Sequence, residues 1–293
     1  MALILVTSTL PRDGKSVVAA GLAAALRSSG ATVRLGRVED GGDSAEADAA
    51  QFTRVSGVRS SGSATTDTIE DDVNQIVIEA QLGASVEADY TLLVIRHGEA
   101  DDETLRRALE QLEPHGVVIN GVPEHGDSAA RERVESLGGH VIGTIPQDRH
   151  LAAPTVREIA PAIEGQLSGD QELHDEASRD LVIGPVSAHE GMDYFRKYPD
   201  KTVVSRHDRV DIALGALDYE PLCLILCGGE PTLPYVAQRA ERESFALITT
   251  ALSTVETVEA IGPLYGQGQF VGDRKLATAI ALVQQSVSLD GFA

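Results

Sequence analysis

Three consecutive residues, Gly14, Lys15 and Ser16, form a combination that is typical of phosphate-binding loops. The backbone N–H groups of such a loop and of the following helix point at an anion, while the lysine reaches the outer phosphates. The serine hydroxyl can coordinate a magnesium ion. Five positions before Gly14 the chain has Thr9, where the strict pattern has glycine. The alternative interpretation is an ordinary turn followed by a helix cap.

The flanking residues supply the strand and the helix that position such a loop. The apolar run Ala2–Val6 predicts a buried parallel strand, Thr7–Asp13 a polar turn, and the Ala-rich segment ending at Ser28 a helix. Strand, loop and helix in this order predict that ATP binds here with Mg²⁺. The predicted nucleotide contacts in this stretch are Thr9, Asp13, Gly14, Lys15, Ser16 and Val17.

A second magnesium ligand can be sought in the acidic segment at residues 39–49. This segment carries five acidic residues and no basic residue. One interpretation is a solvated acidic loop. The sharper interpretation is that Asp48 approaches the magnesium ion of a bound nucleotide, with Ser16 as the other protein ligand.

Strands and helices alternate along the first half, which is typical of a parallel sheet with helices on both faces. Ligands of such sheets bind at the carboxyl ends of the strands. Further strands are predicted at Thr32–Val38, Tyr90–Ile95, Gly116–Ile119 and His140–Ile145. Helices are predicted at Ile69–Leu82, Asp102–Glu113, Ala129–Leu137 and Val156–Glu164.

The polar segment Gly165–Ser178 predicts a linker, and the alternation restarts at Asp180 in a second, smaller α/β domain. The expected boundaries are residues 1–166 and 180–293, joined by residues 167–179. Strands are predicted at Leu181–Pro185, Thr202–Ser205, Leu222–Leu226 and Ala246–Thr249. Helices are predicted at Gly191–Arg196, Arg209–Leu217, Tyr235–Arg242, Thr254–Ile261 and Arg274–Val287.

The composition limits the partners and the compartment. A net charge of −21 argues against nucleic acid and anionic membranes as partners, and no apolar run has the roughly 20 residues of a membrane helix. Only four of the 24 basic residues are lysines, which resembles proteins of salt-loving archaea; the alternative is an ordinary acidic protein. Cys223 and Cys227 would lie too far apart on one strand for a disulfide, so we expect a reduced, cytoplasmic protein. A signal peptide is not expected, because no basic residue precedes the first apolar run.

Three stretches of the first half resemble the dethiobiotin-synthetase-like P-loop domain at the N-terminus of some phosphate acetyltransferases. They are Val6–Ser16, Val117–Val122 and Gly143–Glu158. The third reads Gly-Thr-Ile-Pro, then Leu-Ala-Ala-Pro-Thr-Val, and is similar to the family segment almost residue for residue. The resemblance implies a P-loop NTPase-like α/β fold, with Asn120 as a residue that reads adenine. The alternative for Asn120 is a cap on a turn.

The second half resembles the DRTGG domain that follows in those proteins. The resemblance rests on His207–Leu214, on Leu226–Pro231 with its Gly-Gly turn, and on Ala246–Thr257. His207 stands where the first of these segments has glycine. The similarity extends over about residues 1–285, and no acetyltransferase domain follows in this sequence, so acetyltransferase activity is not expected.

Two features of this half have both a structural and a binding interpretation. Asp208, Arg209 and Asp211 could cap a helix start and form salt bridges, or bind a ligand. Gly228 and Gly229 could form a tight turn, or allow a ligand close to the backbone.

Two departures from the resembled family bear on catalysis. Dethiobiotin synthetases hold their substrate with a lysine at the end of the second strand, where this chain has Arg37. Their magnesium-serving Glu-Gly follows the third strand, whereas this chain has Arg96 and His97 there, with Glu99 two residues beyond the aligned place. His97 has no nucleophile–base partner that can be recognised in the sequence. Both departures point away from a competent ligase.

The leading hypothesis is therefore a nucleotide-binding regulatory or sensor protein. The resemblance further implies a second small-molecule ligand at the DRTGG-like domain, or self-association into a homo-oligomer. One alternative is an ATP-dependent ligase of the dethiobiotin synthetase or cobyrinic acid amidotransferase-like class that uses Arg37 or Glu99. The other alternative is a non-catalytic interaction module.

Overall fold

The computed structural model describes residues 2–38, 74–84, 86–184, 188–198, 200–229 and 234–288. The strands are β1 (Ala2–Ser8), β2 (Val33–Arg37), β3 (Gln75–Glu79), β4 (Tyr90–Arg96), β5 (Gly116–Val122), β6 (Val141–Pro146), β7 (Gln166–Gly169), β8 (Asp180–Ile183), β9 (Lys201–Arg206), β10 (Cys223–Cys227) and β11 (Ala246–Thr250). The helices are α1 (Lys15–Ser28), α2 (Asp102–Leu112), α3 (Asp127–Ser136), α4 (Arg149–Ala152), α5 (Val156–Ala162), α6 (Ala188–Lys197), α7 (Val210–Leu217), α8 (Pro234–Arg242), α9 (Thr254–Ile261) and α10 (Asp273–Ser286).

The chain forms two compact units, residues 1–148 with 276–293, and residues 149–275. The first unit contains a six-stranded sheet in the order β2-β3-β1-β4-β5-β6. All five strand pairings are parallel, so the carboxyl ends of the strands meet at one edge. Helices flank this sheet, as the sequence predicts, and the α/β fold class with a parallel sheet is confirmed.

The segment Gln75–Glu79 is a strand, so the helix predicted over Ile69–Leu82 is wrong there. All five residues of β3 are buried between β1 and β2. A parallel strand that is buried on both faces has consecutive apolar residues, here Ile76, Val77 and Ile78, rather than an alternating pattern. These residues also matched a helical spacing, which is why the pattern misled. Residues 69–73 lie outside the described part of the chain.

Residues 276–288 belong to the first unit, and they pack on its elements. Val283 of α10 lies against α1 at Gly21, where any Cβ would overlap its side chain. Val287 forms an isolated antiparallel bridge with Gly143, and the Ser288 amide donates to the Ile142 carbonyl at 2.9 Å. This division of the chain differs from the expected boundaries at residues 166 and 180.

The second unit contains a five-stranded sheet in the order β7-β11-β10-β9-β8. Strands β8 to β11 are parallel, and β7 pairs antiparallel with β11. Strand β7 lies within the predicted linker. Its polar sequence fits an edge strand, since its side chains are alternately exposed and half-buried. The segment Gly165–Ser178 is therefore part of the fold rather than a linker.

Three of the four lysines are buried, although lysine is ordinarily a surface residue. They are Lys15, Lys201 and Lys275, whereas Lys197 is exposed. The Lys201 ammonium donates to the Tyr219 carbonyl at 2.6 Å, and that of Lys275 donates to the carbonyls of Ala153 and Gln269, each at 2.6 Å. A compact ammonium with three donors suits such carbonyl-lined spaces better than a planar guanidinium.

Candidate functional site

The predicted phosphate loop joins β1 to α1 at the carboxyl edge of the first sheet. Gly14, the residue before α1, has φ +100°, a conformation that residues with a side chain rarely adopt. A Cβ at Gly14 would overlap the side-chain amide of Asn120, a residue of β5, which lies two strands away from β1 in the sheet. The position therefore requires glycine for two independent reasons.

Asp13 holds the loop together from within. Its side chain is 1% exposed, and its Oδ2 accepts hydrogen bonds from Thr9 Oγ1 and the Leu10 amide, both at 2.8 Å. Asn120 Nδ2 donates to the Asp13 backbone carbonyl at 2.9 Å. Burial raises the pKa of the Asp13 carboxyl, against the opposing effects of its hydrogen bonds and of the Lys15 charge.

The start of α1 has two features that favour an anion. No side chain caps this helix, and its first turn carries no acidic residue. By contrast, Asp101, Thr155 and Ser253 cap the starts of α2, α5 and α9. Uncapped N–H groups and the positive end of the helix dipole favour a negatively charged ligand at this point.

The predicted contact residues surround this helix start. Thr9 and Ser16 are half-buried, whereas Lys15 and Val17 are buried. The structure therefore brings Thr9, Asp13, Gly14, Lys15, Ser16 and Asn120 together in one loop region. Asp48, the predicted second magnesium ligand, lies outside the described residues.

The residues considered for ligase chemistry lie at the end of β2 and in the turn after β4, where the sequence places them. Glu99 is exposed in the turn after β4, and the His97 amide donates to the Asn120 carbonyl at 2.9 Å. Arg37 ends β2, where its Nε lies 3.9 Å from Oε1 of Glu79 at the end of β3. Glu79 is only 2% exposed and was missed because its strand resembled a helix; its place at the end of an apolar run is the signal that could have revealed it.

In the second unit, His207 lies at the carboxyl end of β9 and contacts the end of β10. Its ring nitrogen Nδ1 is 3.1 Å from the Cys227 carbonyl, which can only accept, so Nδ1 carries the proton and Nε2 is left for other partners. Gly228, at φ +108°, provides the space, since a Cβ there would come within 2.7 Å of Nδ1. The absence of a side chain at Gly228 thus accommodates the imidazole, and the amides of Gly228 and Gly229 both donate to the Thr250 carbonyl at 3.0 Å.

The charged residues near His207 form ion pairs with each other. Arg206 pairs with Asp208, and Arg209 pairs with Asp211 at 2.9 Å. Each pairing holds the pKa of the aspartate below its ordinary value. The predicted salt bridge is therefore present, but the predicted cap is not, because no side chain caps the start of α7.

Both cysteines of this unit are free and buried on β10. Burial alone raises the pKa of the Cys223 thiol far above its ordinary value. Cys227 Sγ lies 3.3 Å from Thr257 Oγ1, in the space beneath α9.

Within the described residues, no group of three or more His, Cys, Asp or Glu side chains is placed to hold a metal ion. None of the helices in the same part of the chain is long and apolar enough to cross a membrane.

Comparison with known families bears on the second unit. Residues 158–264 match the family model of the DRTGG domain. The chain therefore contains a DRTGG domain. The match begins within α5 and ends just after α9, and it includes His207, Gly228 and Gly229.

Solved structures give weaker likenesses to parts of the chain. The CBS and DRTGG domains of the regulatory region of Clostridium perfringens pyrophosphatase, solved with the activator diadenosine tetraphosphate, are 12% identical with a TM-score of 0.34. That match covers 43% of this chain and 56% of the other. The MinD cell division protein of Aquifex aeolicus is 17% identical with a TM-score of 0.38, over 52% of this chain and 84% of its own.

A nucleotide-binding protein of Archaeoglobus fulgidus, in complex with ADP, is 15% identical with a TM-score of 0.35. The match covers 50% of this chain and 82% of that one. Scores this low carry no argument about ligand or activity.

Proposed function

We propose that the chain is a nucleotide-binding regulatory protein, in which the first unit binds Mg-ATP and the DRTGG domain binds a second small molecule or a second copy of the chain. The observation that carries the proposal is the preformed loop: Gly14 fits against Asn120, and the start of α1 beside Lys15 has no side-chain cap. A relation to the N-terminal region of phosphate acetyltransferases belongs to the same proposal.

The residues around the loop fit the magnesium complex of a nucleotide. Lys15 and the N-terminal amides of α1 would hold the phosphates, and the Ser16 hydroxyl would coordinate the metal. Asp48 is the proposed second metal ligand. One N–H of the Asn120 amide is engaged by the Asp13 carbonyl, so an adenine contact of Asn120 would use its oxygen or its second N–H.

A regulatory role is favoured over catalysis because Arg37 and Glu99, which would have to replace the ligase groups, have surroundings that do not suit this chemistry. Arg37 lies beside a carboxylate, and Glu99 is exposed in a turn. The second candidate is nevertheless an ATP-dependent ligase, since Glu79 places a buried carboxylate on the strand next to β1. ADP release that depends on an added amine or carboxylate substrate would distinguish the ligase from the sensor.

Calorimetric titration with Mg-ATP in concentrated KCl tests the site. Lys15→Ala removes the ammonium nearest the phosphates and is expected to weaken binding by about 10- to 100-fold. Lys197→Ala is the matched control, because Lys197 is exposed on α6 and contacts the Tyr198 ring. Equal affinities of the two variants would contradict the assignment.

The same samples should be assayed for released phosphate. Binding without turnover supports the regulatory proposal, and steady release supports the enzyme. If neither heat nor a shift of the melting temperature is seen at high salt, the non-catalytic interaction module is the better explanation. Light scattering at multimolar salt tests self-association.

A further inference from the structure

Asp13 places a carboxylate inside a loop that is built for anions. Its Oδ2 accepts the Leu10 amide and the Thr9 hydroxyl, which are donors of the loop itself. The side chain is 1% exposed, so water does little to screen its charge. Its backbone carbonyl is held by Asn120, which keeps Asp13 from swinging out of the loop.

The charge of Asp13 opposes that of the residue which should attract the phosphates. Lys15 is the charged side chain that acts on the Asp13 carboxylate. The first turn of α1 carries no acidic residue of its own. A polyphosphate beside Lys15 is therefore attracted by one ammonium and the helix dipole, and repelled by a carboxylate two residues earlier in the chain.

We propose that Asp13 determines the specificity of the loop by making it discriminate against metal-free nucleotides. Mg²⁺ removes two negative charges from ATP, so the metal complex is repelled less by the buried carboxylate than the free nucleotide. Asp13 thus serves both as the internal brace of the loop and as a charge filter. This inference rests on the proposed function, since it concerns the same nucleotide site.

Calorimetry with ATP in Mg²⁺ and with ATP in EDTA, at constant KCl, tests the filter in the wild type and in Asp13→Asn. The asparagine keeps the size of the side chain and an oxygen that can accept from Leu10 and Thr9. The substitution is expected to increase the affinity for metal-free ATP by about tenfold and the affinity for Mg-ATP by clearly less. The preference for Mg-ATP therefore falls. Asp218→Asn is the control, because that side chain is 66% exposed and belongs to the second unit.

An unchanged ratio between the two affinities in Asp13→Asn would overturn the proposal. Selective loss of Mg-ATP binding would also overturn it, because Asp13 would then be holding the metal rather than opposing the phosphates. If the wild type does not bind Mg-ATP at all, both the proposed function and the proposed role of Asp13 are refuted. If the wild type binds Mg-ATP but the ratio of the two affinities is unchanged in Asp13→Asn, only the proposed role of Asp13 is refuted and the proposed function stands.

A second variant keeps the proposal testable if Asp13→Asn does not fold. Ser16→Ala removes the hydroxyl that would coordinate magnesium but leaves the Asp13 carboxylate in place. Its preference for Mg-ATP over metal-free ATP is expected to fall only in part, because the metal loses one ligand but the charge of Asp13 still opposes the free nucleotide. Complete loss of that preference would mean that direct coordination, not the charge of Asp13, causes the discrimination.

Discussion

Raising the pH is expected to strengthen the fold through Lys275, a buried ammonium. The side chain is 0% exposed, and its two hydrogen bonds go to uncharged carbonyls. Burial lowers the pKa of Lys275 to about 8, although the carboxylates of Glu158 and Glu176 oppose the shift. The ordinary value for the unfolded chain is 10.5.

The sign of the effect follows from where the proton is held. Between about pH 8 and pH 10.5 the unfolded chain keeps the lysine proton and the folded chain loses it. Because the unfolded state then binds more protons, the free energy of unfolding rises with pH. For these two pKa values the contribution of Lys275 increases by about 2.5 kcal/mol between pH 7 and pH 10.

Other groups also titrate between pH 7 and pH 10, and their contributions to the free energy of unfolding have to cancel in the comparison. Burial raises the pKa of the Cys223 thiol, so ionisation of this thiol in the unfolded chain lowers stability as the pH rises. Lys201 acts in the opposite direction, since burial lowers its pKa. Comparison of the wild type with Lys275→Met removes both contributions, because each is present in both proteins.

The measurement is denaturant unfolding of the full chain at pH 7 and pH 10, at one high KCl concentration. Lys275→Met leaves the carbonyls of Ala153 and Gln269 without their donor, a loss of about 1–3 kcal/mol each that does not depend on pH. The stability difference between wild type and variant is expected to grow by about 2.5 kcal/mol with rising pH. Lys197→Met, at an exposed site, should show no such growth. A constant or shrinking difference for Lys275→Met would refute the reasoning.

Two further predictions concern the second unit. Gly228→Ala is expected to cost about 3 kcal/mol of folding free energy, because its Cβ would meet His207 at positive φ; Gly30→Ala, at φ +97° in open space, should cost only about 1–2 kcal/mol. Equal losses of folding free energy in the two variants would mean that the His207 imidazole does not pack against Gly228. The buried Cys223 thiol should resist alkylation in the native protein and react on unfolding, as followed by mass spectrometry; rapid native labelling would contradict its burial.

The phosphate loop could be predicted from the sequence because it is a local structure. The strand, the turn and the helix all lie within the first 28 residues, and their spacing alone indicates the chemistry. The hydrogen bond from Asn120 to Asp13 joins residues 107 positions apart, and no local pattern contains it. The same residue was considered for adenine because strand-end asparagines serve that role in the resembled family.

The strands β3 and β7 were missed for opposite physical reasons. Strand β3 is buried between two neighbours, so its short apolar run carries no alternation that would separate it from a helix. Strand β7 is an edge strand whose pairing with β11 is a tertiary interaction, and its polar residues resemble a linker. Glu79 was lost with β3, because a site residue can be recognised only after its strand is placed.

The burial of lysines determines how the protein can be handled chemically. Acylating reagents and amine cross-linkers require an accessible ε-amino group, and Lys197 on α6 is the exposed one among the four. Apart from the terminal amino group, a fluorophore or surface coupled through amines would therefore attach at one position of the DRTGG-containing unit. Attachment at Lys197 would leave the phosphate loop unmodified and would present every molecule in one orientation.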